Sequence, residues 1–139
     1  MTSGHRLLTN HIIHAVGPRF SAFDTMAEKN DKYKHLCDAY RSIVRKADAY
    51  DVQELAIPLI SNGIFRGKEV PADVIRCGIS ALLLFLAEKV RRPIGMVPHP
   101  VHRVIIYGFT QCEFQQIKYD HSTMYAVPGQ KRKQALRKI

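Results

Sequence analysis

Ile57 to Gly67 reads IPLISNGIFRG, and the fold turns on how it is read. With Glu54 to Ala56 in front, it opens as the short apolar run ELAIPLI. That run is too short for a helix and stops at Ser61-Asn62-Gly63, so the pattern predicts a buried strand. Pro58 cannot donate to a ladder, which places it at a strand end or an irregularity. An apolar pair, Ile64-Phe65, and a second glycine follow, and Pro71 sits where a helix begins. The whole is a strand, a glycine turn and a helix. Ligands of open α/β sheets sit beyond the carboxyl ends of strands. Glycine lets backbone N–H groups approach an anion, and a helix N-terminus adds positive potential. A phosphate-bearing ligand fits this arrangement, although glycines at such turns also serve conformation alone.

Working outward, upstream apolar residues recur at Tyr33, Leu36, Tyr40, Ile43, Val44 and Ala47 in steps of three and four. The spacing predicts one face of a helix, capped near Asn30 or Asp31. Before it, Leu8 to Val16 carries the β-branched pair Ile12-Ile13 and closes at Gly17-Pro18, a strand ending in a turn. Downstream, Val74, Ile75, Ile79, Leu82, Phe85 and Leu86 give a helix with a wide buried face. Lys89, Arg91 and Arg92 suit its C-terminus, and Pro93 stops it. Val101 to Phe109 contains VIIYGF, a further buried strand, and Glu113 to Tyr125 reads as a last helix. The order β, α, β, α, β, α implies α/β layering on a largely parallel sheet. Three strands make a thin sheet, so one edge is expected to be exposed.

Bulk properties bound the classes. The 139 residues suit a single domain. Lys and Arg total 21 against 12 acids, a net charge of +9, which favours a phosphorylated or polyanionic partner. Cys37, Cys77 and Cys112 form no CxxC pair and are odd in number. They read as small buried hydrophobes in a reducing, intracellular (cytoplasmic) setting rather than as a disulfide framework. The most apolar stretch, Ile79 to Ala87, falls far short of the ~20 residues of a membrane span, and Met1 to Asn10 lacks a signal-peptide core.

Three blocks carry a resemblance to the macro domain family, in order and at matching spacing: Thr2 to Leu7 (TSGHRL), Ile12 to Pro18 (IIHAVGP) and Pro58 to Gly67 (PLISNGIFRG). The helix with Ala39-Tyr40-Arg41-Ser42 fits between the second and third. The resemblance implies a three-layer α/β/α fold with a mainly parallel sheet. In this chain that fold lacks the family's N-terminal strands and first helix. It spans residues 1–127, with residues 128–139 as a basic C-terminal tail. It implies binding of ADP-ribose or of a mono-ADP-ribosylated protein, with no cofactor and no metal. On this resemblance the backbone N–H groups of Asn62, Gly63, Ile64 and Phe65 hold the diphosphate. Phe65 packs on the distal ribose, Ser61 shapes the turn, and Phe109 takes the place where some relatives stack an aromatic on adenine. Both aromatics also read as ordinary core residues.

The family's adenine-reading acid, catalytic-loop asparagine and Gly-rich run lie upstream of the first block and have no counterpart here. The catalytic residues are therefore unassigned. The chain is expected to bind rather than to work well as an ADP-ribosylhydrolase. The blocks HAVGP and PLISNGIF are also similar to macro domains of positive-strand RNA virus polyproteins.

The remaining constellations are weaker. His11 and His14 point to opposite faces of a strand and cannot share a metal, and His14 reads as a packed or hydrogen-bonded histidine. His99 and His102 lack a third ligand. Ser61 lies outside any G-x-S-x-G elbow. Lys131, Arg132, Lys133, Arg137 and Lys138 form a solvated tail or an RNA contact, which makes an RNA-binding module the alternative function.

Overall fold

A computed structural model describes residues 1–90, 101 and 103–124. The periodic face of the first helix is the base of the core. Helix α1 (Met26–Asp48) buries Leu36, Tyr40, Ile43, Val44 and Ala47. It begins earlier than Asn30. Thr25 is the cap: its hydroxyl accepts the Glu28 N–H at 3.3 Å, and the Glu28 carboxylate accepts the Thr25 N–H at 2.7 Å. This reciprocal box satisfies two donors that a helix start would leave free, and outweighs the single oxygen of Asn30 or Asp31.

Among the described residues the strands form two separate ribbons. β1 (Thr2–Ser3) pairs antiparallel with β2 (His11–Ile12). β3 (Glu54–Pro58) pairs parallel with β4 (Arg103–Tyr107), Leu55 opposite Val104 and Ile57 opposite Ile106. The run from Leu8 to Val16 thus contributes only two strand residues, and they bond to β1 rather than to the parallel pair. Between the ribbons lies a cleft of about 830 Å³, lined by Leu8 to Ile13 on one side and Glu54 to Pro58 on the other. Among the described residues neither outer edge of the β3–β4 ribbon has a strand partner, and the β3 edge is the one that faces the cleft. Pro58 closes β3, where its missing donor costs no internal ladder bond.

Helix α2 (Pro71–Val90) starts at its proline, as expected. Val74, Ala81, Leu82 and Phe85 join the core built on α1, Leu55 and Ile57. Ile75 and Ile79 pack with Leu59, Ile106 and Ile117, the last from α3 (Gln111–Met124). Alternation along β3 buries Leu55 and Ile57 under these helices and leaves Ala56 and Pro58 exposed. Among the described residues no helix is long and apolar enough to cross a membrane. The expectations for Pro93, for a metal at His99 and His102, for the end of the domain near Val127 and for the basic tail lie outside the described residues.

Of the three thiols, Cys37 and Cys77 pack partly buried against the core, and only Cys112 departs from its reading as a buried hydrophobe. Cys112 is exposed, whereas Cys37 and Cys77 are partly buried and meet across the α1–α2 interface. Their 40-residue separation in sequence hid this, because only helix packing unites them. His14 bonds the Thr2 hydroxyl at 3.0 Å, which pins the start of the chain to the segment after β2.

The α1–α2 contact is unusually close at one point. A Cβ on Gly78 would stand 2.6 Å from the ring of Tyr40, which is 1% exposed. Gly78→Ala is expected to force the ring or the helices apart and to lower stability by about 1–3 kcal/mol, read from urea unfolding. Burial pushes the Tyr40 hydroxyl up to about 12. The folded state thus holds its proton more tightly than the unfolded state. The contribution is full below about pH 10 and fades as pH rises toward about 12. Urea midpoints taken across that window should fall in the wild type and fall less in Tyr40→Phe.

Candidate functional site

The parallel pairing of β3 with β4 brings two loops side by side at the carboxyl end of the sheet. The Leu59 N–H still donates to the Tyr107 carbonyl at 3.3 Å, so the strands leave the ladder together. One loop is Ser61 to Gly67 and the other is Gly108 to Thr110. Ser61, Asn62, Gly63, Ile64 and Phe65 are contiguous on the first, and Phe109 lies on the second.

Ser61 makes the turn. Its φ is +57°, the left-handed region, and its hydroxyl donates to the Pro18 carbonyl at 2.7 Å. That bond holds a conformation that costs a non-glycine residue energy. Gly17 allows the approach, since a Cβ there would lie 2.2 Å from the Ser61 oxygen. Further on, the Phe20 N–H donates to the Phe65 carbonyl at 2.7 Å. Gly67, at φ +60°, turns with its α-carbon so close to the Phe20 carbonyl that a Cβ would reach 2.6 Å. The segment Gly17 to Phe20 therefore straps the loop at both ends. The blocks HAVGP and PLISNGIFRG form one structural unit.

From behind, α1 holds the loop. The Tyr40 hydroxyl accepts the Ile60 N–H at 2.9 Å. The Tyr33 hydroxyl donates to Glu69 at 3.1 Å, and Lys29 pairs with the same carboxylate at 2.8 Å. Burial and the Glu69 carboxylate together raise the Tyr33 hydroxyl above its ordinary range. Arg66 closes the turn by donating to the carbonyl oxygens of Asn62, at 3.4 Å, and Glu69.

Ile60, Arg66 and Gly67 spend their N–H groups on protein acceptors. Among the described residues, the N–H groups of Asn62, Gly63, Ile64 and Phe65 donate to none. Four successive free donors at the carboxyl end of a strand make a surface suited to an anion. Ser61 and Asn62 are buried, whereas Ile64 and Phe109 are 90% and 83% exposed and Phe65 is 43% exposed. Neither aromatic is a core residue. Both stand open to solvent on the same end of the sheet.

Glu113 escaped the reading of the sequence and joins the two loops. Its carboxylate accepts the N–H groups of Phe109 at 2.7 Å and Thr110 at 2.9 Å, and also the side-chain amide of Asn62. The Thr110 hydroxyl accepts the Glu113 N–H at 3.2 Å in return. Thr110-x-x-Glu113 is a capping-box spacing, so the signal was present in the sequence. Its partner Asn62 was not, being distant in the chain. Among the described residues, no group of three or more His, Cys, Asp or Glu side chains gathers as metal ligands would.

Comparison with known proteins agrees with this unit. The family model described as "Macro domain" matches residues 1–75, more than half of the chain. The chain belongs to the macro domain family. The matched part holds both straps and the whole 61–67 loop, and Phe109 falls outside it. Polyprotein P1234 of Venezuelan equine encephalitis virus is 39% identical over 61 residues, 44% of this chain. The human ADP-ribose glycohydrolase MACROD2 is 26% identical over 127 residues, 91% of this chain. This macro domain chain spans 2% and 27% of the lengths of those two proteins. Among solved structures, the Oceanobacillus iheyensis macrodomain with ADP superposes at a TM-score of 0.64 and 19% identity. It covers 88% of this chain, which in turn covers 56% of that one. A mutant of the same macrodomain with ADPR gives a TM-score of 0.65. The α/β fold of the family is thus present in the part of it that this chain spans.

Glu113→Gln tests the bridge between the loops. It keeps the shape and removes the charge that three donors share, with an expected cost of about 1–2 kcal/mol in the range of lost helix caps. Amide exchange at Phe109 and Thr110 should accelerate, while exchange in the middle of α1 should stay as it was.

Proposed function

We propose that this macro domain chain binds ADP-ribose, free or attached to a protein, through the 61–67 loop. The observation that carries the reading is the run of four N–H groups, from Asn62 to Phe65, that meet no acceptor among the described residues, held out by straps at Ser61 and Gly67. A diphosphate offers acceptor oxygens to such donors, and backbone dipoles hold an anion without a compensating side-chain charge. Phe65 and Phe109 offer aromatic surfaces on the same edge of the sheet. One suits the ribose next to the phosphates and the other suits adenine at the far end. The names of relatives support the ligand class: ADP-ribose glycohydrolase for the human protein, and ADP and ADPR with the bacterial macrodomain.

Gly63 provides the sharpest test. A Cβ at this position meets nothing within 4 Å, so a side chain is sterically tolerated by the fold. Gly63→Glu places a carboxylate among donors meant for phosphate. At ~5 Å and an effective dielectric of ~20, two like charges repel by about 3 kcal/mol. Calorimetry should find ADP-ribose affinity lost by a hundredfold or more, with thermal stability close to wild type. Undiminished affinity would remove the loop from the site. Phe65→Ala should weaken ADP-ribose binding and leave the salt dependence of RNA binding unchanged. Deleting Gly129 to Ile139 should do the reverse, since its five cations act by counterion release. A deletion that abolishes ADP-ribose binding would instead make the tail part of the site.

A further inference from the structure

Cys37 and Cys77 occupy facing turns of α1 and α2 with their Sγ atoms 2.8 Å apart, and both are free thiols. A disulfide bond is about 2.05 Å long, so the pair needs little approach to join. The Cys77 thiol also lies 3.4 Å from the Tyr33 carbonyl, and the Cys37 sulfur lies 3.7 Å from the Cys77 carbonyl. Both residues are partly rather than fully buried. The surroundings are those of the loop's support. On α1, Cys37 stands between Tyr33, which holds Glu69, and Tyr40, which holds Ile60. The two thiols therefore sit at the centre of the frame that carries residues 60–69.

The two sulfurs differ in acidity. The hydrogen bond from Cys77 lowers the Cys37 thiol to about 7, while the same contact, followed by burial, pushes Cys77 up. One thiolate and one proton-bearing partner make an attacking and a resolving sulfur.

We propose that Cys37 and Cys77 are a redox-modification site that reacts with a small-molecule disulfide to form an intramolecular disulfide, bolting α1 to α2 beneath the 60–69 loop. In the first step the Cys37 thiolate attacks one sulfur of the reagent. The Cys37–reagent bond forms, the reagent's own S–S bond breaks, and one thiolate leaves and takes up a proton from water. Capping Cys37 removes the contact that had held the Cys77 proton most strongly. Cys77 then gives its proton to solvent and attacks the Cys37 sulfur, and the second reagent thiolate departs and is protonated. Two electrons pass from the protein thiols to the reagent, which is reduced to two thiols. A bolt at this point restrains the frame of the loop. That consequence matters for ligand binding only if the proposed ADP-ribose reading holds, whereas the chemistry stands apart from it.

The experiment treats the folded full chain, with Cys112→Ser to remove the exposed third thiol, with oxidised glutathione. Mass spectrometry should show the loss of two hydrogens and a Cys37–Cys77 cross-linked peptide, reversed by a reducing dithiol. In Cys77→Ser the resolving sulfur is gone, so a glutathione adduct should accumulate on Cys37. Cys37→Ser should react at least tenfold more slowly at neutral pH. Oxidation should raise the melting temperature by roughly 5–10 °C and slow amide exchange across residues 61–67, with no ligand present. The site is overturned if both cysteines remain open to alkylation after treatment, or if only mixed disulfides form in the chain that keeps both thiols. That result is read on the chain with both thiols and does not depend on the single variants folding. Unchanged exchange across 61–67 after complete oxidation overturns the coupling to the loop. ADP-ribose calorimetry on the reduced protein, run separately, reports on the functional reading alone.

Discussion

Tyr40 is the piece on which the rest of the arrangement leans. Its ring lies against the backbone of Gly78, where any side chain would collide, and so it sets how closely α1 and α2 pack. Its hydroxyl takes the N–H of Ile60, the residue that follows β3 into the loop. One side chain thus joins both helices to the point where the sheet gives way to the candidate site. A tyrosine suits this double duty because its body is apolar and its tip needs a partner when buried. Leaving the Ile60 N–H without that partner would strand a donor in the core, a cost of about 1–3 kcal/mol.

From that anchor the loop is shaped by restraint on every side but one. Ser61 is held in a left-handed turn by Pro18, Phe65 is bonded to Phe20, and Arg66 closes on Asn62 and Glu69. The side left open is the one where, among the described residues, the N–H groups of residues 62–65 face no protein acceptor. Rigid support with unspent donors is what pre-organised anion recognition requires, because the ordering cost falls on folding rather than on binding. Glu113 extends the same frame to Phe109 by capping α3 and holding Asn62 with one carboxylate. The candidate site is thus a property of two parallel strand ends and of the segment from Gly17 to Phe20.

Much of the fold was legible because helices and strands declare themselves by period. The six apolar positions of α1 fell where a 3.6-residue repeat places them, Pro71 opened α2, and Pro58 ended β3. The start of α1 was misplaced because Asn30 and Asp31 offered one capping oxygen each, whereas Thr25 and Glu28 form a reciprocal pair. The sequence pattern alone places Ile12 and Ile13 in the parallel sheet. Period and β-branching reveal that a segment is extended, but not which neighbour it bonds. Here β2 pairs with β1, and a cleft separates it from β3.

The sequence by itself determined the order of the elements, the family signature in TSGHRL, IIHAVGP and PLISNGIFRG, and the residues of the loop. These are local patterns, set by side-chain periodicity, by the missing side chain of Gly17 and by the left-handed backbone of Gly67. Tertiary structure alone decided which of these patterns meet. It set Gly17 against Ser61, Asn62 against Glu113, Tyr40 against Gly78 and Cys37 against Cys77. Each of those contacts joins residues that no local period relates. They exist because the apolar faces of α1 and α2 are buried together on Leu55 and Ile57, and that packing brings the distant residues together.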